Sequence, residues 1–148
     1  MSKVTEVIGP DRILSAVGQG AIGVEIRAGD ASVAGLVSVL DHRDTRLSVA
    51  AERALLRRLE GGCQVPIGAL GRLQGARLRL DGLVADLDGR SLFRGTEEGA
   101  APSEEAASEI GRRLAERLLD MGARAILERI LATARPQTPH GAGTGEEA

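Results

Sequence analysis

Residues 65–96 read VPIGALGRLQGARLRLDGLVADLDGRSLFRGT. Apolar residues recur there with a period of two: Val65, Ile67 and Ala69, then Leu78, Leu80 and Val84, then Leu92, set against polar neighbours such as Arg77, Arg79 and Asp81. Successive side chains of a strand point to opposite faces, so this spacing predicts strands with one face in a core. Gln74-Gly75 and Asp88-Gly89 stand where hairpin turns need a positive φ, and Asp-Gly is the stronger of the two signals. Three antiparallel strands result, in a sheet that can keep one face wet. Asp81, Asp86 and Asp88 fall at strand or hairpin positions where solvated carboxylates are expected.

Upstream the period changes to 3.6. A helix is expected from about Thr45 to Glu60, with Leu47, Ala51, Ala54, Leu55 and Leu59 on one face and Glu52, Arg53, Arg57 and Glu60 on the other. Asp44 is placed to cap it by accepting from its free amides. Gly61 and Gly62 stop it, because glycine accepts the left-handed conformation past a helix end, and Cys63 follows that exit. Ala31 to Leu40 suits a short apolar helix. From Ser15 to Arg27 a glycine-punctuated loop enters one strand near Ile22, Val24 and Ile26. A lone strand at that position needs a partner from elsewhere.

Downstream, Ser103 caps a helix whose first turn holds Glu104 and Glu105. Ala107, Ile110, Leu114, Leu118 and Met121 form its apolar stripe. Gly122 breaks it, and a last helix runs from Ala123 to about Ala134. Residues 136–148, rich in Pro, Gly, Thr and Glu, are expected to be a disordered tail. The fold class is therefore α+β: a three-stranded antiparallel sheet with helices on one face, preceded by an orphan strand.

The 148 residues carry a net charge of −2 and one aromatic residue, Phe93. That excludes a general attraction to phosphate backbones and base stacking, so no nucleic-acid partner is expected. One cysteine excludes an internal disulfide framework, and His42 and His140 lie too far apart for the usual zinc spacing. No run of about 18 apolar residues and no signal-peptide pattern occurs, which leads to an expectation of a cytoplasmic protein without a membrane segment.

The segment Leu59-Glu60-Gly61-Gly62-Cys63-Gln64-Val65-Pro66-Ile67-Gly68 resembles the cofactor-attachment loop of porphobilinogen deaminases (hydroxymethylbilane synthases). The preceding Ala51-Glu52-Arg53-Ala54-Leu55-Leu56-Arg57-Arg58 resembles their helix. Ala16-Val17-Gly18-Gln19-Gly20-Ala21-Ile22-Gly23-Val24-Glu25 is a second resemblance. Leu83-Val84-Ala85, with Asp88-Gly89 and Arg94-Gly95, is a third. Together they cover most of residues 11–132 in the family's order. Ser15 stands where many relatives have proline, and Ile26 where some have cysteine, without removing known chemistry.

The resemblance implies the C-terminal portion of a transferase of tetrapyrrole and heme biosynthesis. Residues 1–29 would be the remnant of the preceding domains, 30–135 the cofactor-attachment domain and 136–148 the tail. Cys63 would carry a dipyrromethane through a thioether, in a loop shaped by Gly61 and Gly62. Onto that primer the family adds four porphobilinogens, and hydrolysis releases hydroxymethylbilane. Gln19 and Gly20 match a family loop that approaches the cofactor. Without the motif, a single cysteine reads as a buried small hydrophobe.

Pyrroles of this class bear acetate and propionate groups, which arginines grip with paired hydrogen bonds. Arg58 falls on the apolar side of its helix, so it needs an anionic partner or an exit to solvent, and it is a candidate ligand contact ahead of Arg53 and Arg57. Ordinary solvation near the helix C-terminus is the plainer reading. The family's catalytic aspartate and most substrate-binding arginines belong to two earlier domains, so no catalytic residue is assigned here. The chain alone is expected to be inactive and to need an N-terminal deaminase polypeptide that supplies domains 1 and 2. The porphobilinogen substrate and the growing polypyrrole chain would bind between them. A non-catalytic remnant, or a domain binding an anion or a partner surface, is the alternative.

Overall fold

Both hairpin glycines take the backbone angles the sequence asks of them, with φ of 62° at Gly75 and 71° at Gly89. The computed structural model describes residues 3–59 and 65–134. The turns join β1 (Ile67–Gln74), β2 (Arg77–Ala85) and β3 (Leu92–Ala100) into one antiparallel sheet of order β1-β2-β3. Register is set by pairs such as Ile67 with Val84 and Gly82 with Gly95. The third strand runs past Thr96 to Ala100.

Among the described residues, four helices accompany the sheet. They are α1 (Ala31–Val37), continued by a 3₁₀ turn over Ser38–Leu40, α2 (Arg43–Arg58), α3 (Glu104–Leu118) and α4 (Arg124–Ala134). Helix α2 begins earlier than expected because His42, not Asp44, caps it: the His42 ring accepts from the Thr45 amide at 3.3 Å. Asp44 instead sits in the first turn, at the positive end of the helix dipole. Ser103 caps α3 as expected, accepting from Ala106 at 3.3 Å.

The core lies between one face of the sheet and the helices α2 and α3. Leu47 and Leu55 of α2 with Leu59 just past its end, Ile110, Leu114 and Leu118 of α3, and Leu78, Leu80 and Val84 of β2 are fully buried in it. With almost no aromatic residue to fill space, close approach replaces bulk. Gly82 and Gly95 are register partners, and the Leu114 side chain lies where a Cβ on either would begin, at 3.0 Å from each.

One expectation on the apolar pattern is corrected. Met121 is 49% exposed. Gly122, with φ of 119°, breaks the helical path between α3 and α4, and Met121 stands at that kink, off the buried stripe. Within this chain residues 21–27 pair with no strand among the described residues, and Ile22 and Val24 lie exposed. The free edge of β1 is already occupied, because Ala16 bridges to Gly68 and the Ala69 amide donates to the Ser15 carbonyl at 3.0 Å. The strand expected there would have to find its partner outside this chain. The tail expected at 136–148 lies outside the described residues, among which no helix is long and apolar enough to cross a membrane.

Candidate functional site

The segment between α2 and β1 is rooted in the core at both ends. Leu59 is 1% exposed, and its amide closes the helix by donating to the Leu55 carbonyl at 3.0 Å. Val65 is buried on the other side, and Pro66 ties the start of β1 to the end of β2 by accepting from the Ala85 amide at 3.0 Å. Gly61, Gly62 and Cys63 themselves lie outside the described residues.

Residues 9–20 pass over the sheet and along its edge. Arg94 of β3 donates to the carbonyls of Asp11 and Pro10, at 2.6 and 2.8 Å. Leu14 packs against Gly68, leaving 3.1 Å between its Cβ and the position a Gly68 Cβ would take. Next come the tight turns at Gly18-Gln19-Gly20, where φ is 70° at Gly18 and 89° at Gly20. Both values lie in the region glycine enters without strain. The Gln19 side chain folds back to accept from the Ala16 amide at 3.2 Å.

Glu52 departs from the helical pattern, which set it on the solvent side of α2. It is 5% exposed, and each of its oxygens accepts from a backbone amide: Oε1 from Gly71 and Oε2 from Gly18, both at 2.7 Å. Ser48, one turn earlier, is also buried. The two mark a polar margin beside the Leu47, Ala51 and Leu55 stripe. A cleft of about 230 Å³ opens there, lined among others by Gly18, Gln19, Gly20, Ser48 and Gly71.

The arginines divide. Arg58 finds the anionic partner its position demands, giving two hydrogen bonds to Glu116 of α3 at 2.6 and 3.1 Å. Arg53 and Arg57 have no ion-pair partner among the described residues. They line a larger cleft of about 560 Å³, bounded by residues 21–24 and by α2, with Ile22, Val24 and Val49 as apolar wall. The arrangement offers two guanidinium groups with no ion-pair partner among the described residues beside apolar surface, in a cleft that Asp41, Arg46 and Glu104 also line, and such groups can grip a carboxylate.

Asp81 corrects another expectation. Its side chain is 5% exposed on the outer sheet face, accepting from Arg72 at 2.8 Å, Thr96 at 2.6 Å and Arg79 at 3.0 Å. Burial pushes the carboxyl up. Hydrogen bonds from Arg79, Thr96 and Arg72, with the Arg79 charge, more than offset that and hold it at about 2. Asp86 also has a cation partner, Arg129. These acids are structural.

These features define a small α+β domain in which buried Leu59 and Val65 stand on either side of residues 60–64, with a glycine turn fixed along the edge of β1. The family described as "Porphobilinogen deaminase, C-terminal domain" matches residues 46–120. The chain belongs to the porphobilinogen deaminase family. It is 56% identical over 126 residues to a porphobilinogen deaminase of Pelotomaculum thermopropionicum, covering 85% of this chain and 39% of that protein. It is 53% identical over 132 residues to the Desulforudis audaxviator protein of the same name, covering 89% and 42%. A third, from Synechococcus sp. (strain RCC307), is 52% identical over 135 residues, covering 91% and 42%. The chain therefore spans about two fifths of the length of these relatives.

Proposed function

We propose that this chain is the dipyrromethane-bearing part of a cytoplasmic porphobilinogen deaminase, a transferase, with Cys63 as the attachment point. The observation that carries the reading is that Leu59 and Val65, the described residues on either side of Cys63 in sequence, are both buried in the domain the family matches. A loop that holds a growing chain must keep its anchor in place while the chain lengthens, and two core anchors supply that.

In the attachment chemistry, the Cys63 sulfur forms a C–S bond to the aminomethyl carbon of a porphobilinogen unit. The C–N bond breaks, and ammonia leaves with the thiol proton. A second unit joins through a C–C bond, again with loss of ammonia. When bound, the dipyrromethane supplies the free pyrrole position at which further porphobilinogens are joined. Arg53 and Arg57, beside the larger cleft and without an ion-pair partner among the described residues, are suited to the acetate and propionate groups. Gln19 and Gly20 fix the turn that faces the smaller cleft. Arg58 turns to pyrrole carboxylates only by leaving Glu116.

The catalytic aspartate and the remaining arginines would come from an N-terminal deaminase polypeptide, so the isolated chain is inactive on porphobilinogen. The test is reconstitution with the N-terminal portion of a relative such as the Pelotomaculum thermopropionicum protein. The mixture consumes porphobilinogen and gives the dipyrrole colour reaction, and neither component does so alone. A mixture without turnover contradicts the reading and leaves a non-catalytic anion- or partner-binding domain.

A further inference from the structure

We propose that Glu52 is a positioning residue, whose two carboxylate oxygens clamp the Gly18-Gln19-Gly20 turn onto β1, the strand that follows Cys63 in sequence. The functional half of this inference rests on the deaminase reading. The clamp itself does not.

Three observations carry it. First, Glu52 is almost fully buried, and no Lys, Arg or His among the described residues pairs with it. Its charge is met by the amides of Gly18 and Gly71, at 2.7 Å each. A buried carboxylate is tolerated when hydrogen bonds satisfy it, and such charge-assisted bonds are the strong ones.

Second, the bonds join elements far apart in sequence. Along the free edge of β1, the Ala69 amide is met by the Ser15 carbonyl and the Gly71 amide by Glu52, so the same side chain finishes the edge and holds the turn beside it. Third, β1 reaches α2 only because position 71 is glycine. A Cβ there would begin 2.9 Å from the Ser48 carbonyl oxygen and 3.0 Å from its Cα, both backbone atoms.

Both partners are donors, so the residue between them must accept twice. Glutamine would turn an NH2 group toward one N–H, and aspartate is one methylene short of spanning both. This constraint makes the clamp specific to glutamate rather than to any polar side chain.

The experiment begins with the 148-residue chain. Wild-type protein is expected to show through-hydrogen-bond NMR couplings from the Gly18 and Gly71 amide nitrogens to the Glu52 carboxyl carbon. In Glu52→Gln, exchange of the Gly18 amide rises on the order of ten- to hundredfold, the equivalent of one charge-assisted bond, while the Leu80 and Val84 amides stay protected. Glu52→Asp serves where Glu52→Gln does not fold.

The same variants are then assayed after co-expression with the N-terminal portion of a relative, where kcat falls about tenfold or more with KM for porphobilinogen little changed. Absent couplings, or unaltered Gly18 exchange, overturn the clamp. Couplings present with an inactive wild-type mixture leave the clamp standing and overturn the deaminase reading. Couplings present, an active wild type and a variant of equal kcat overturn the positioning role.

Discussion

The carbonyl oxygen of Ala51 occupies the space in which a side chain at Gly111 would start: a Cβ there would lie 2.1 Å from it and 2.9 Å from the Leu55 nitrogen. Helices α2 and α3 therefore touch backbone to backbone at this crossing. The contact sets the spacing of the two helices that roof the sheet, and it lies one residue from Glu52.

Gly111→Ala is expected to force the helices apart, because the obstructing atoms are backbone and cannot rotate away. Overpacking of this kind costs about 1–3 kcal/mol, and this site should lie at the upper end or beyond. Gly35→Ala in α1 is the control, since nothing lies within 4 Å of a Cβ there. It should be neutral or gain up to about 1 kcal/mol from helix propensity. Urea denaturation of the two variants measures the contrast.

Asp81 predicts a pH dependence. Its carboxyl titrates at about 2 in the folded chain against an ordinary 3.8. A group whose folded value is depressed contributes fully above its unfolded value and loses that contribution as pH falls through the folded one. Between pH 4 and pH 2 the protein should therefore lose about 2 kcal/mol that Asp81→Asn does not lose. At neutral pH Asp81→Asn is itself destabilised, because Arg72 and Arg79 are cross-strand partners and the acid separates their charges. Denaturation curves of the two proteins at pH 7 and pH 2.5 decide it, and parallel losses would contradict the assignment.

The Arg58–Glu116 pair should count for little in stability. Its side chains are 37% and 50% exposed, and pairs in such settings contribute below about 1 kcal/mol. A double-mutant cycle of Arg58→Ala and Glu116→Ala is expected to give a coupling under that value, with both variants folded. A coupling above about 2 kcal/mol would show the pair to be a structural lock, leaving Arg58 no freedom to turn toward a ligand.

What the sequence made legible follows from where each signal is local. The period-two runs at Ile67, Leu78 and Leu80, the turn glycines 75 and 89, and the Ser103 cap each depend on a few neighbouring residues, and each appears where expected. Glu52 and Asp81 do not follow that logic. Both read as exposed carboxylates because most of the groups that satisfy them are distant in sequence. The partners of Glu52 are amides 34 residues before it and 19 after it, and those of Asp81 lie on two neighbouring strands as well as its own. Met121 failed for a different reason, since the chain leaves the helical path at Gly122 and a constant period no longer applies at that kink. Of the candidate site residues, Gln19, Gly20 and Arg58 are placed. Arg58 stands with a partner that no helical wheel could name.

Whether the chain carries the primer is decided by one determination: the intact mass of this chain after co-expression with the N-terminal portion of a relative, followed by peptide mapping. The expected result is a gain equal to two porphobilinogens less two ammonia molecules, located on the peptide containing Cys63 and lost in Cys63→Ser. An unmodified Cys63 in a folded, co-purifying mixture would contradict the reading.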